Sequence, residues 1–351
     1  MQAILGVLFH FIGGFASGSF YIPYKKVKGW SWESYWITGG IFSWLIIPLF
    51  AAWLTVPSFM SIISHTSLLT LFWTYILGVL WGIGGLTFGL SMRYLGMSLG
   101  MAVALGFCSA FGALIPPVYR EFFGDGGATF SNMLQHGSGH FVLLGVTVCL
   151  VGIAICGRAG MYKEKDLPAA QQQESIREFD LKKGLTVAII SGILSACMSF
   201  AIAAGEPMAR EAVANQANPL FRNNVIFVVI MLGGLTTNFV WCMILNSRNR
   251  SFGDYVNRKT PLVSNYLFAA IAGTTWFLQF FFYGMGESKL DNAPSSWILH
   301  MAFIILISSM WGFALKEWKG VSKRTLRTIL LGITVIIISV MLVGYGNSLN
   351  N

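Results

Sequence analysis

The spacing of charged residues constrains this chain more than any other feature. No Asp, Glu, Lys or Arg occurs from Ser34 to Met92, and further charge-free runs cover Tyr94–Tyr119, Gly126–Gly157, Leu185–Gly205, Asn223–Ser247, Thr260–Gly286, Asn292–Leu315 and Thr328–Asn351. A helix needs about 20 apolar residues to cross the bilayer, so each run holds one span and the first holds two. With 55% hydrophobic and 11% charged residues, the chain reads as an all-α integral membrane protein rather than a soluble domain, where roughly 25% of residues are charged. Ten spans are expected, near residues 3–22, 34–55, 69–90, 97–117, 140–157, 184–205, 224–245, 263–284, 294–314 and 328–346.

The net charge of +9 reports orientation. Of 23 Lys and Arg residues, 19 fall in the loops after spans 1, 3, 5, 7 and 9, and only Arg120, Arg210, Arg222 and Lys289 lie on the other side. Cytoplasmic loops carry the excess, so both termini are expected to face outward. A basic groove interleaved with aromatics is missing, which argues against nucleic acid. The five cysteines lie in or beside apolar runs without a CxxC pair, so neither a disulfide framework nor a metal site is expected. HExxH, Walker A and GxSxG signatures and paired acidic motifs are also missing, so no enzyme or cofactor is indicated.

Residues 158–183, with KEKD and a QQQ run, read as a polar cytoplasmic linker between a first half, 1–157, and a second, 184–351. The halves resemble each other. Leu143-Leu144-Gly145 with Thr147 and Gly157 match Leu330-Leu331-Gly332 with Thr334 and Gly344. Gly78, Trp81, Phe88 and Gly89 match Gly273, Trp276, Tyr283 and Gly284; Gly39-Gly40 match Gly233-Gly234; and Gly14 and Ser17 match Gly192 and Ser195. Five spans repeated once must insert in opposite orientations, the inverted-repeat plan of secondary transporters, whose substrate sites lie near the membrane midplane.

Ionisable groups inside hydrocarbon default to functional candidates. By these span limits no carboxylate lies deep, and His10 and His300 each stand about 10 Å below the outer boundary. A histidine is able to carry a proton or bond a hydroxyl. Each also fits a neutral histidine bonded to a neighbouring helix. Gln279, with Trp276 one turn before it and Phe280 to Tyr283 after it, combines an amide with flat apolar faces, the pairing that binds a sugar through hydroxyls and C–H surfaces. An aromatic interfacial belt is the alternative. Trp81 is the repeat counterpart of Trp276, and Asn238 is a weaker candidate. Glu33 follows Lys25, Lys26 and Lys28, and reads either as a proton acceptor or gate partner of those lysines, or as a charge placed at a helix N-terminus. Arg93 is a gate residue or an orientation anchor.

Several strings together resemble the bacterial L-rhamnose/proton symporter family, a ten-span branch of the drug/metabolite transporter superfamily: KKVKGWSWE at 25–33, RYLGMS at 93–98, LQFFFY at 278–283, SWILHM at 296–301 and LKEW at 315–318. The likeness runs nearly end to end. It implies uptake of L-rhamnose or a related deoxysugar with a proton as the coupling ion. The sequence departs from the family pattern in the outer loops, in the stretch 169–173 of the linker and at 286–292. The resemblance transfers no residue role. From the residues themselves, the expected substrate contacts are His10, Trp81, Trp276, Gln279, Tyr283 and His300. The expected proton carriers are His300, His10 or Glu33, and the inner gate is Lys25, Lys26 and Arg93. An exporter or exchanger of another metabolite, and a non-transporting membrane sensor of the same fold, are the competing readings.

Overall fold

The computed structural model describes residues 2–123, 129–167, 178–290 and 293–349. The linker stretch 169–173 and residues Asp291 and Asn292 lie outside them. No strand occurs among the described residues. In hydrocarbon every backbone N–H and C=O must be paired within its own segment, and for an apolar chain the helix does this. The helices are α1 (Gln2–Ser19), α2 (Tyr21–Tyr24), α3 (Trp32–Ile41), α4 (Ile47–Thr55), α5 (Phe59–His65), α6 (Leu68–Leu95), α7 (Met97–Phe123), α8 (Phe130–Gln135), α9 (Gly137–Asp166), α10 (Leu181–Ser195), α11 (Cys197–Ala214), α12 (Asn224–Asn249), α13 (Leu262–Leu290), α14 (Ala293–Ala314) and α15 (Lys323–Ser348). Among the described residues, eight stretches are long and apolar enough to cross a membrane by length and composition, and Leu99–Gly112 and Leu299–Ala314 are shorter apolar stretches within α7 and α14. Their outward side chains are themselves apolar, including Phe50, Trp53, Leu54, Phe72 and Val263, as a lipid-facing surface requires.

The helices overrun the charge-free runs. α9 continues through Arg158 to Asp166, into the stretch read as linker, and α13 continues past Gly284 to Leu290. A charge ends the hydrocarbon crossing but not the helix, which stops where its backbone is capped. α6 stops at Gly96, whose φ of +82° is the left-handed conformation that glycine adopts most readily at a C-terminus. α10 begins at Asp180, whose carboxylate accepts from the Lys183 backbone N–H at 2.9 Å.

Between α3 and α4, residues Phe42–Ile46 form a π-helical turn. Pro48 follows it and has no N–H to donate to the carbonyl four residues earlier, so the hydrogen-bond ladder shifts register there. The shift matters for Trp44, which is buried against Gly40.

The chain divides into two compact units. The first comprises residues 1–85 and 197–289, and the second 86–196 and 290–351. In the first, glycines let helix backbones touch. Gly39 of α3 meets Gly273 of α13, and Gly78 of α6 meets Gly233 of α12. Trp81 lies against Gly234 and sits edge-on to Phe280, ring centroids 5.5 Å apart. In the second unit α9 and α15 pack along their lengths. A Cβ on Gly145 would stand 2.9 Å from the Ser339 carbonyl oxygen, and one on Gly332 would stand 2.9 Å from the Cys156 backbone nitrogen. The LKEW string finds its place here too: Lys163 is buried, with its ammonium 4.9 Å from the Trp318 ring and 5.1 Å from that of Phe179, a cation–π arrangement.

Candidate functional site

In the first unit, α13 presents Trp276, Gln279, Phe280, Tyr283 and Glu287, all buried. Trp276, Tyr283 and Glu287, with Gln279 and Phe280 three and four residues after Trp276, recur at helical spacing and so line one face of the helix. Around Trp276 the aromatic rings close in. Phe20 lies 4.4 Å away, Trp36 5.1 Å and Trp44 5.8 Å, measured between ring centroids. Trp36 stacks on Trp32 at 4.9 Å and donates its indole N–H to Asn238 Oδ1 at 2.9 Å. Asn238 Nδ2 in turn donates to the Gly82 and Gly234 carbonyls. Asn238, a weaker candidate from sequence, therefore spends its donors and its acceptor holding Trp36 in place. Trp44 is 2% exposed, and its indole N–H finds no hydrogen-bond partner among the described residues. A buried unpaired donor is costly, and one carried by a ring packed among other flat rings is suited to a hydroxyl-bearing ligand.

Further along the same face, His10 of α1 is fully buried, with its ring 5.5 Å from Tyr283. It packs on Gly286, where a Cβ would come within 2.6 Å of His10 Nε2. Asn223 closes from the other side over Gly284, and its amide nitrogen donates to Glu287 at 2.7 Å. Glu287 is 6% exposed. The Asn223 Oδ1 and Arg222 Nε atoms are buried without a hydrogen-bond partner among the described residues. Gly286 thus lets His10, and Gly284 lets Asn223, approach the helix that bears Glu287, a carboxylate that lies beyond the span expected from sequence.

At the other end of this unit Glu33 is buried in the first turn of α3. Its Oε1 accepts from Asn249 Nδ2 at 2.9 Å and from Ser251 Oγ at 2.6 Å. Ser34 donates to Asn246 and Asp254, and the Ser31 backbone N–H donates to Asp254 at 2.8 Å. These bonds fasten the start of α3 to the end of α12 and the turn after it. Lys25 and Lys26 are exposed in the turn after α2.

Five of the six expected substrate contacts, His10, Trp81, Trp276, Gln279 and Tyr283, are thereby gathered in one unit, with Glu33, Lys25 and Lys26. His300 and Arg93 belong to the other. His300 is buried in α14, and Arg93 donates to Glu178 at 2.6 Å. Glu287, Asn223, Arg222, Trp36 and Trp44 were missed. For Glu287 a signal existed: the stripe Trp276, Gln279, Tyr283 reaches residue 287 after one more turn. For Trp44 none did, because a π-turn shifts the helical register.

An all-helical, multi-pass protein with aromatic rings and hydrogen-bonding groups buried in its apolar interior has the build of a membrane carrier. The profile of the L-rhamnose-proton symport protein (RhaT) family matches residues 1–349. The chain is 39% identical over 348 residues to an L-rhamnose-proton symporter of Pectobacterium carotovorum subsp. carotovorum (strain PC1) and to one of Yersinia pestis (strain Pestoides F), covering 98% of each chain. The chain belongs to the L-rhamnose-proton symporter family, a family of transporters rather than enzymes.

Proposed function

We propose that the protein carries L-rhamnose, or a related deoxysugar, into the cell together with a proton by alternating access across the bacterial inner membrane. The end-to-end match to named symporters carries this reading. The aromatic and polar face of α13 supports it chemically. A 6-deoxysugar has an apolar methyl and C–H face for Trp276, Trp44 and Trp81, and hydroxyls for Gln279, His10 and the Trp44 indole N–H. His300 is a further candidate substrate contact, and Lys25, Lys26 and Arg93 are candidate gate residues. Glu33 holds the start of α3 through Asn249 and Ser251.

We further infer ten spans arranged as two inverted five-span repeats, in the manner of the drug/metabolite transporter superfamily, with both termini outside. Each compact unit takes corresponding parts of the two halves. The crossed glycine contacts support the same plan. Sequence pairs Gly39 with Gly233 and Gly78 with Gly273, whereas space pairs Gly39 with Gly273 and Gly78 with Gly233. Exchanging the halves turns one contact into the other, as a twofold relation requires. In the second unit, Gly145 against Val343 and Gly332 against Cys156 are exchanged in the same way. The 19-to-4 division of positive charge supports the orientation.

The test is labelled L-rhamnose uptake in cells lacking their own carrier. Accumulation that collapses with an uncoupler, and that unlabelled deoxysugars compete away, is expected. Uptake indifferent to the uncoupler would sink the symport reading, and efflux from preloaded vesicles under either gradient would favour export or exchange.

A further inference from the structure

We propose that Glu287 is the proton-carrying carboxylate of the transport cycle, and that it couples proton to sugar through Asn223 and Arg222. This rests on the symport reading above and adds the residue that links the two cargoes. Of the groups buried along α13, Glu287 is the one able to exchange a full charge for neutrality while hydrogen-bonded to a neighbouring segment. A carboxylate in a membrane interior is expensive and persists where its charge is used.

The neighbours define the switch. From α1, His10 packs on Gly286 and against Tyr283. From the segment leading into α12 come Arg222 and Asn223, and from α11 comes Glu206; Arg222 and Glu206 are the charged side chains that act on Glu287. Tyr283, one turn earlier on the same helix, feels the charge of Glu287 as well. Asn223 donates to Glu287 with its nitrogen, while its buried oxygen and the Arg222 Nε remain unpartnered among the described residues. Those two atoms are one acceptor and one donor beside a carboxylate, a set that fits a pair of vicinal hydroxyls. When Glu287 is ionised it attracts Arg222 and competes with sugar for that donor. When Glu287 takes a proton from the outer solution the competition ends, so Arg222 and Asn223 turn to the sugar. Proton and sugar then favour the same state of the carrier, which is the thermodynamic condition for symport. On the inner side, loss of the proton restores the competition and releases the sugar. No bond between heavy atoms changes; one proton leaves outer water to form the O–H bond of the Glu287 carboxyl, and that bond breaks when the proton passes to inner water.

Proteoliposomes of the full chain test this with L-rhamnose as the probe. The wild-type protein is expected to accumulate sugar under an imposed pH gradient, about tenfold per unit for one proton, and also to exchange labelled for unlabelled sugar without a gradient. Glu287→Gln is expected to keep the exchange and lose the accumulation, its internal concentration rising only to the external one. A Glu287→Gln carrier that accumulates like wild type overturns the proposal, as does a folded one that loses exchange along with accumulation. Wild-type vesicles that neither exchange nor accumulate L-rhamnose fail the transport reading instead, a result distinguishable from both. Should Glu287→Gln not fold, the wild-type protein still decides: dicyclohexylcarbodiimide, which reacts with protonated carboxyls in apolar surroundings, is expected to label Glu287 at a rate that falls with rising pH. Labelling that ignores pH, or that avoids Glu287, overturns the assignment.

Discussion

Gly273 of α13 is seated on the backbone of Gly39 of α3, so close that a methyl group on Gly273 would overlap the Gly39 carbonyl. Neither backbone has a flexible side chain to move aside. Gly273→Ala should therefore spread the two helices and cost about 1–3 kcal/mol, the usual toll of overpacking. Gly85→Ala, with nothing within 4 Å of the new methyl, should leave stability unchanged or slightly raised. Thermal unfolding of the two variants in detergent, side by side, checks the contrast, and equal melting temperatures would refute it.

Trp36 and Trp44 are neighbours in the same aromatic cluster, yet their indole N–H groups have different fates. Trp36→Phe strands the Asn238 oxygen in an apolar interior and should destabilise the protein by about 1–3 kcal/mol. Trp44→Phe strands nothing, since its N–H has no partner among the described residues. It should leave the melting temperature nearly intact and weaken sugar binding by the value of one hydrogen bond, about 0.5–1.5 kcal/mol, or about two- to tenfold in KM for L-rhamnose. A Trp44→Phe carrier with unaltered KM would remove that indole from the sugar site.

His10→Ala and His300→Ala should each abolish uphill accumulation of L-rhamnose while leaving membrane abundance unchanged. His10 touches the helix that bears Tyr283 and Glu287, and His300 is buried in the other unit. Uptake and immunoblotting on the same cells settle each residue separately, and wild-type accumulation in either variant takes that histidine off the list.

Asp166 supplies a pH test of the fold outside the membrane. Hydrogen bonds from the Thr325 hydroxyl and from the Ser322 backbone N–H hold its carboxyl below the usual carboxylate range. A folded-state value depressed below the unfolded one contributes stability that is present above the unfolded value and is lost as pH falls through the folded one. Asp166→Asn should thus lower the melting temperature at neutral pH, and its difference from wild type should shrink once the pH drops below the ordinary carboxylate range. A difference that stays constant down to strongly acid pH would show that the charge is irrelevant to this tether.

Much of the architecture was legible because the bilayer imposes a one-dimensional rule. Charges are excluded from hydrocarbon, so runs from Ser34 to Met92 and onward announce helices wherever they occur. The stripe Trp276, Gln279, Tyr283 was legible for a related reason: helical spacing places these residues on one face before anything is known of their neighbours. Helix ends were not legible by the same rule. α13 continues past Gly284 to Leu290, since the charge of Glu287 does not interrupt a backbone that bonds to itself.

What the sequence determined by itself was the class of protein, its helical character and the polar and aromatic residues its apolar runs carry, because hydropathy and periodicity are local properties. The tertiary structure alone decided which groups face one another. It gave Asn238 to Trp36, Glu33 to Asn249 and Ser251, and Asn223 to Glu287, and it gathered His10 with α13 while His300 went to the other unit. Glycines take part in that decision: Gly39 and Gly273 bring α3 and α13 together, and Gly284 and Gly286 admit Asn223 and His10 to α13. A missing side chain has no hydropathy to read, but it sets how closely two helices approach and therefore which polar atoms meet in the dry interior.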